Sequence, residues 1–161
     1  MVSAQVTEIG IGSSHRKKES PVVLAQKVPR IVLADDQREL LQTISSILQY
    51  ECEIVGLAEN GEQVLQLAQT QSPDLLVLDI FMPTISGFDA AVRLRESGSL
   101  VRILFLTVHE DPDFVGAAIS LGALGYVLKA HLVTDLIPAI RSVLKGQLYV
   151  SPKLLSWQPR F

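Results

Sequence analysis

Five times along this chain a short aliphatic run gives way to a stretch with apolar residues at helical spacing. No other feature restricts the fold as much. The runs are RIVLADD from Arg30, CEIVGLAEN from Cys52, DLLVLDI from Asp74, RILFLTV from Arg102 and GYVLKA from Gly125. Their length and their content of Val, Ile and Leu suit strands. Because the apolar character is continuous rather than alternating, these strands are expected to be buried on both faces. The intervening segments carry Leu40, Leu41, Ile44, Ile47 and Leu48, then Val64, Leu65 and Leu67, then Phe88, Ala91 and Val92. DPDFVGAAISLGA follows, and Leu136, Ile137, Ile140, Val143 and Leu144 line the last. Each spacing is that of a helix with one apolar face. Asn60 is a natural N-cap, while Pro112 and Gly122 bracket the fourth helix. Strands and helices in strict alternation require parallel strands joined by right-handed crossovers, with helices on both faces of the sheet. The chain is therefore read as an α/β doubly wound three-layer sandwich of five strands and five helices.

Outside this frame the pattern changes. Residues 1–28 include GIGSSHRKKESP, which mixes Gly, Ser, Pro and charge without a lasting period, and read as a flexible leader. The basic cluster His15–Lys18 within it reads as a solvated tail. Residues 29–148 form the domain and 149–161 a short C-terminal tail. At 161 residues, with 48% hydrophobic and 19% charged, the chain has enough material for one domain with a full core. A net charge of -3 argues against a nucleic-acid or membrane surface. Cys52 is the sole cysteine, which excludes an internal disulfide and a thiolate metal cluster and fits a cytoplasmic location. No apolar run approaches the roughly 20 residues of a membrane helix, and the start of the chain does not resemble a secretion signal.

The polar residues that interrupt the aliphatic runs carry the functional reading. The first strand ends in Asp35-Asp36, the third in Asp79, the fourth near Thr107 and the fifth near Lys129. In a parallel sheet these groups crowd one edge, where open α/β sheets bind ligands. Carboxylates so close repel one another, and a divalent cation relieves the repulsion. Hard oxygens at an open site suit Mg2+, with Asp36 and Asp79 as direct ligands, Asp35 through water and the Phe81 carbonyl as a further oxygen. A carboxylate can also act as a nucleophile towards phosphorus. Lys129 and Thr107 then supply a cation and a hydroxyl for phosphoryl oxygens. Taken singly, Asp35 and Asp36 read as a helix cap and dipole partner, Lys129 as a surface lysine and Thr107 as a β-branched strand residue. Their coincidence at one sheet edge favours a site.

The segments VLADD, AENGEQVL, PDLLVLDIFMPTISGFD, ILFLTVHED, GALGYVLKA and AIRSVLKGQLYVSP, in that order, resemble the receiver domains of two-component response regulators. The resemblance spans about Arg30 to Pro152. It implies a flavodoxin-like strand order of 2-1-3-4-5. It also implies that Asp79 takes a phosphoryl group from a sensor histidine kinase, with Asp35 and Asp36 as the metal pair. Lys129 would pair with phosphoryl oxygens, Thr107 would be the switch hydroxyl, and Tyr126 the switch aromatic that turns inward. Without the family, Tyr126 reads as an amphipathic residue on an edge strand. The output would be a surface of the fourth helix, fifth strand and fifth helix, which also serves homodimers in the family. The closest likeness is to the subgroup that continues into a LuxR-type helix-turn-helix and regulates transcription. The nine residues after Pro152 are too few for that module, so these residues offer no direct nucleic-acid contact. Both a stand-alone receiver and a piece of a longer regulator fit.

Three departures from the family pattern carry expectations. Ala130 follows Lys129 where proline or aspartate is frequent, and the peptide is expected to be trans. Pro138 falls within the last helical pattern; a start at Asp135 with Thr134 as N-cap would place it in or next to the first turn. That departure weakens the expectation of a standard dimer. Phe81 and His109 occupy positions that tune phosphoryl lifetime, and a bulky Phe81 is expected to hinder water. Two other readings compete with the switch. An aspartyl-phosphate phosphatase-like hydrolase would need an acid two residues after Asp79, where Phe81 stands. A pseudo-receiver that is never phosphorylated would have no use for the full acid set. A nucleotide or flavin carrier is disfavoured because ADDQRE, not a glycine-rich loop, follows the first strand.

Overall fold

The computed structural model describes residues 27–155. Most of the expected leader, the His15–Lys18 cluster and the last residues of the expected tail lie outside them. Among the described residues, six strands and six helices alternate: β1 Arg30–Ala34, α1 Arg38–Leu48, β2 Glu53–Ala58, α2 Gly61–Gln71, β3 Leu75–Leu78, α3 Gly87–Glu96, β4 Arg102–Thr107, α4 Pro112–Ser120, β5 Gly125–Leu128, α5 Leu132–Leu144, β6 Tyr149–Val150 and α6 Pro152–Leu155. All pairings are parallel, and the sheet runs β2-β1-β3-β4-β5-β6. The expected order 2-1-3-4-5 is present within it.

The count of five strands and five helices needs correction. Tyr149 and Val150 add a sixth strand beside Gly125 and Tyr126, and a single turn of helix, α6, follows. Two residues carry no period, so only the finished sheet edge reveals them.

Continuous burial of the strands follows from helices on both sides. Leu75 to Leu78 and Ile103 to Leu106 are all buried. Alternate side chains of each strand point to opposite faces. On one face Ile31, Leu33, Leu75, Val77, Leu104 and Val127 pack with α1 and α5 through Leu41, Ile44, Leu136 and Ile140. On the other, Val32, Leu76, Leu78, Ile103 and Phe105 pack with α2, α3 and α4 through Val64, Ala91 and Ala118.

Helix boundaries follow local chemistry. Asn60 caps α2 by accepting the Gln63 N–H at 2.9 Å, and Ser86 caps α3 by accepting that of Asp89. Asp111 caps α4 with Pro112 directly behind it, and Gly122 leaves the helix at φ +81°.

The fifth helix begins earlier than the sequence suggests. A single 3-10 turn, Lys129–His131, leads from β5 straight into Leu132, and the N-cap is His131 rather than Thr134. The Thr134 hydroxyl instead shares its single proton between the His131 carbonyl at 3.2 Å and Asp135 Oδ1 at 3.0 Å. Pro138 is thus interior to α5, and its missing N–H leaves the Thr134 carbonyl without the usual helical donor. Every described peptide bond, Lys129–Ala130 included, is trans.

Candidate functional site

Parallel pairing brings the carboxyl ends of β1, β3, β4 and β5 to one rim, and the loops leaving them carry the polar residues. The Asp79 N–H donates to the Ala34 carbonyl at 2.9 Å, which fixes the end of β3 against the end of β1. Thr107 pairs in register with Leu128, so the last residue of β4 stands next to the residue preceding Lys129.

Three carboxylates meet there. One oxygen from each of Asp35, Asp36 and Asp79 lies within 4.8 Å of the other two. Asp35 and Asp79 are buried, whereas Asp36 faces solvent. Neither acid of the first pair caps α1: its N-cap is Gln37, whose N–H donates to Asp35 Oδ1 at 2.8 Å. Lys129 spans the cluster, with Nζ 2.6 Å from Asp35 Oδ2 and 2.9 Å from Asp79 Oδ2. An ammonium that bridges two buried acids is not a surface lysine.

Burial dominates the ionisation of Asp79. It pushes the carboxyl above the usual carboxylate range, with the Asp35 charge adding to it, while the hydrogen bond and charge of Lys129 pull the other way. For Lys129, burial disfavours the charged form. Hydrogen bonds and charge from Asp35 and Asp79 outweigh it and hold the ammonium above its ordinary value.

The donor set fits a small hard cation. Three carboxylates at one rim, one of them open to solvent, supply oxygens only, the chemistry Mg2+ prefers. Thiol chemistry finds no place here. Cys52 is buried, and burial first, then the charge of Glu51, pushes its thiol up to about 11.

Phe81, two residues after Asp79, belongs to an aromatic cluster. Phe81 packs edge-on against His109 with ring centroids 4.7 Å apart and against Phe114 at 5.7 Å. About half of Phe81 remains exposed. Thr107 is fully buried, and its Oγ1 accepts the His109 N–H at 3.2 Å. Tyr126 is turned inward and 1% exposed, its hydroxyl donating to the His109 carbonyl at 2.7 Å. Because β6 covers Gly125 and Tyr126, Tyr126 does not lie on an edge strand.

Sequence reasoning missed residues that act through the backbone. An ideal Cβ on Gly87 would lie 2.0 Å from the Asp79 carbonyl oxygen, so only glycine lets α3 start this close to β3. Gly61 is equally close to the Ile85 carbonyl, at 2.2 Å. Ser151 has no place in the sequence reading and Asp135 only that of a helix start, yet the two form a buried polar pair beside β5. A glycine directly after an N-cap serine is the one local hint for Gly87. The Ser151–Asp135 pair leaves no signal in the sequence.

The model of the response regulator receiver domain family matches residues 31–141. The chain belongs to that family. The uncharacterized transcriptional regulatory protein YvfU of Bacillus subtilis is 37% identical over 127 residues, covering 78% of this chain and 64% of that protein. The transcriptional regulatory protein DesR of the same organism is 35% identical over 127 residues, covering 78% of this chain and 63% of that protein. This receiver thus matches less than two thirds of the length of these relatives. Among solved structures, a two-component response regulator of the LuxR family from Aurantimonas sp. SI85-9A1 superposes with a TM-score of 0.76 at 28% identity. It covers 80% of this chain and 93% of that one. The likeness to the LuxR-type subgroup therefore stands. Among the described residues of the receiver, no helix is long and apolar enough to cross a membrane.

Proposed function

We propose that this receiver accepts a phosphoryl group on Asp79 from the phosphohistidine of a sensor histidine kinase. The observation that carries the reading is the convergence of Asp35, Asp36 and Asp79 within 4.8 Å, bridged by Lys129. An Asp79 carboxylate oxygen attacks phosphorus; the new O–P bond forms as the P–N bond to the kinase imidazole breaks, and the imidazole nitrogen takes up a proton. Asp35, Asp36, Asp79 and the Phe81 carbonyl would hold Mg2+. When bound, the ion neutralises charge on the phosphoryl oxygens.

Lys129 pairs with one phosphoryl oxygen, leaving its bridge between the two acids. The Thr107 hydroxyl donates its proton to another while its oxygen keeps accepting the His109 N–H, which ties the loop through His109 to the phosphoryl group. Tyr126 clamps the same loop through the His109 carbonyl, so movement at Thr107 reaches the surface of α4, β5 and α5. That surface would meet an output partner or a second copy in the cytosol and so control transcription. The domain would be a switch rather than a turnover enzyme, assisting only its own phosphorylation and dephosphorylation. A phosphatase-like hydrolase is disfavoured because Phe81, an aromatic held by other rings, stands where that chemistry needs an acid.

The direct test is incubation with Mg2+ and acetyl phosphate. A base-labile gain of about 80 Da, the mass of one phosphoryl group, is expected on the wild-type chain and not on Asp79→Asn. No gain in the wild type would favour a pseudo-receiver.

A second expectation concerns phosphoryl lifetime. Phe81 stands two residues after Asp79 and is held by His109 and Phe114, and if it hinders water at the phosphoryl group then Phe81→Ala should lose phosphate several-fold faster than wild type in a decay assay. Slower loss from the variant would refute the screening role.

A further inference from the structure

The C-terminal segment Tyr149–Leu155 is tied to both parts of the receiver that would touch a phosphoryl group. On one side it reaches the strand that delivers Lys129. The Leu128 N–H donates to Ser151 Oγ at 3.0 Å, and the Ser151 N–H donates to the Tyr126 carbonyl at 2.9 Å. The Ser151 hydroxyl in turn donates to Asp135 Oδ2 at 2.8 Å, while the Thr134 hydroxyl donates to Asp135 Oδ1 at 3.0 Å. Ser151 is fully buried and Asp135 nearly so, hence the bonds from Leu128 to Ser151 and from Ser151 to Asp135 have no water to fall back on. On the other side, Lys153 Nζ pairs with Glu110 Oε1 at 2.7 Å. Glu110 follows His109, the residue gripped by Thr107 and Tyr126. Val150 and Leu154 pack against the core beneath α4, and Tyr149 against the core beneath α5.

We propose that Tyr149–Leu155 is a clasp whose hold on the sheet edge tightens when Asp79 is phosphorylated, with the Ser151 hydroxyl as its joint. The proposal rests on the phosphoacceptor reading above. Phosphoryl oxygens give Lys129 and Thr107 a new common partner. The end of β5 and the loop through Glu110 are both restrained by it, and these are the two anchors of the clasp. A ligand that restrains the anchors raises the free energy of local opening. By reciprocity, a weakened clasp disfavours the phosphorylated state.

Hydrogen exchange of the full chain, read by mass spectrometry with and without Mg2+ and acetyl phosphate, tests this, with the phosphoryl adduct quantified in the same samples. In wild type, peptides covering 149–155 should exchange several-fold more slowly once the adduct forms. In Ser151→Ala they should exchange about tenfold faster than wild type before any adduct, since two buried partners lose their bond. Slowing on phosphorylation should then be lost. Glu110→Gln, which weakens the exposed ion pair to Lys153 at one anchor, should raise the basal rate less than Ser151→Ala does and lose part of the slowing. An adduct with unchanged or faster exchange at 149–155 overturns the clasp alone. Undiminished slowing in Ser151→Ala removes Ser151 as the joint and overturns the proposal as stated. Absence of any adduct overturns the phosphoacceptor reading and the clasp together.

Discussion

Gly87→Ala is expected to destabilise the fold by about 3 kcal/mol, the upper end for overpacking a tight site. The added Cβ would meet the Asp79 carbonyl oxygen at 2.0 Å and the Ile80 Cα at 3.2 Å. Both are backbone atoms, so no rotamer relieves the clash. The Gly87 N–H also donates to the Ile80 carbonyl at 2.7 Å, which holds the two segments together as the new methyl forces them apart. Either α3 lifts from the rim or the peptide after Asp79 shifts. The second outcome carries the carboxylate away from Asp35 and Asp36, and a misplacement near 1 Å is worth about 100-fold in rate. Urea midpoints and the rate of acetyl phosphate uptake measure the two effects. Gly116→Ala is the control. Nothing lies within 4 Å of its ideal Cβ and it sits inside α4, so alanine there should be neutral or stabilise by up to about 1 kcal/mol. A Gly87→Ala chain with wild-type stability and uptake would show that the contact at the rim is slack.

Lys129→Ala is the second large effect. The substitution removes the cation bridging Asp35 and Asp79, two buried acids, and breaking such a pair costs about 3 kcal/mol at neutral pH. Uptake from acetyl phosphate should fall by about 100-fold with the loss of the cation proposed to pair with a phosphoryl oxygen.

The pH profile should change with a definite sign. Asp79 has a folded pKa above its unfolded one, so its ionised form lowers stability above the folded value. That penalty fades as pH falls through it. Lys129 is also raised, and its contribution is complete below the unfolded pKa and lost as pH rises through the folded one, in the alkaline range. The variant should therefore lose the alkaline decline due to Lys129 and gain more than wild type from mild acid. Mg2+ should raise its melting temperature more than that of wild type, because the acids have lost their built-in counter-charge. Melting curves across pH, with and without Mg2+, decide it. A variant that melts with wild type at neutral pH without Mg2+ would show that the bridge carries no stability.

What the sequence reveals and what it hides divide along physical lines. Strands β1, β3 and β4 are legible because burial on both faces demands an unbroken aliphatic run. The rim is legible because a parallel sheet places Asp35, Asp79, Thr107 and Lys129 at like ends of their strands, whatever the loops do. The start of α5 is not, since Thr134 suits an N-cap equally well and only the 3-10 turn after β5 shows that the helix has already begun. Gly87 is only faintly legible, for another reason. Its constraint comes from a carbonyl eight residues back, brought near only when α3 folds against β3. Ser151 and Asp135 are 16 residues apart and meet across the sheet edge, where neither propensity nor period leaves a trace.

Beyond β5 the sheet is finished by a strand of only two residues. An unsheathed border of backbone donors and acceptors invites another polypeptide to add itself there. Whenever Tyr149–Val150 lifts away, Gly125 and Tyr126 present such a border, and the corresponding residues of a neighbouring molecule fit it as well as the chain's own.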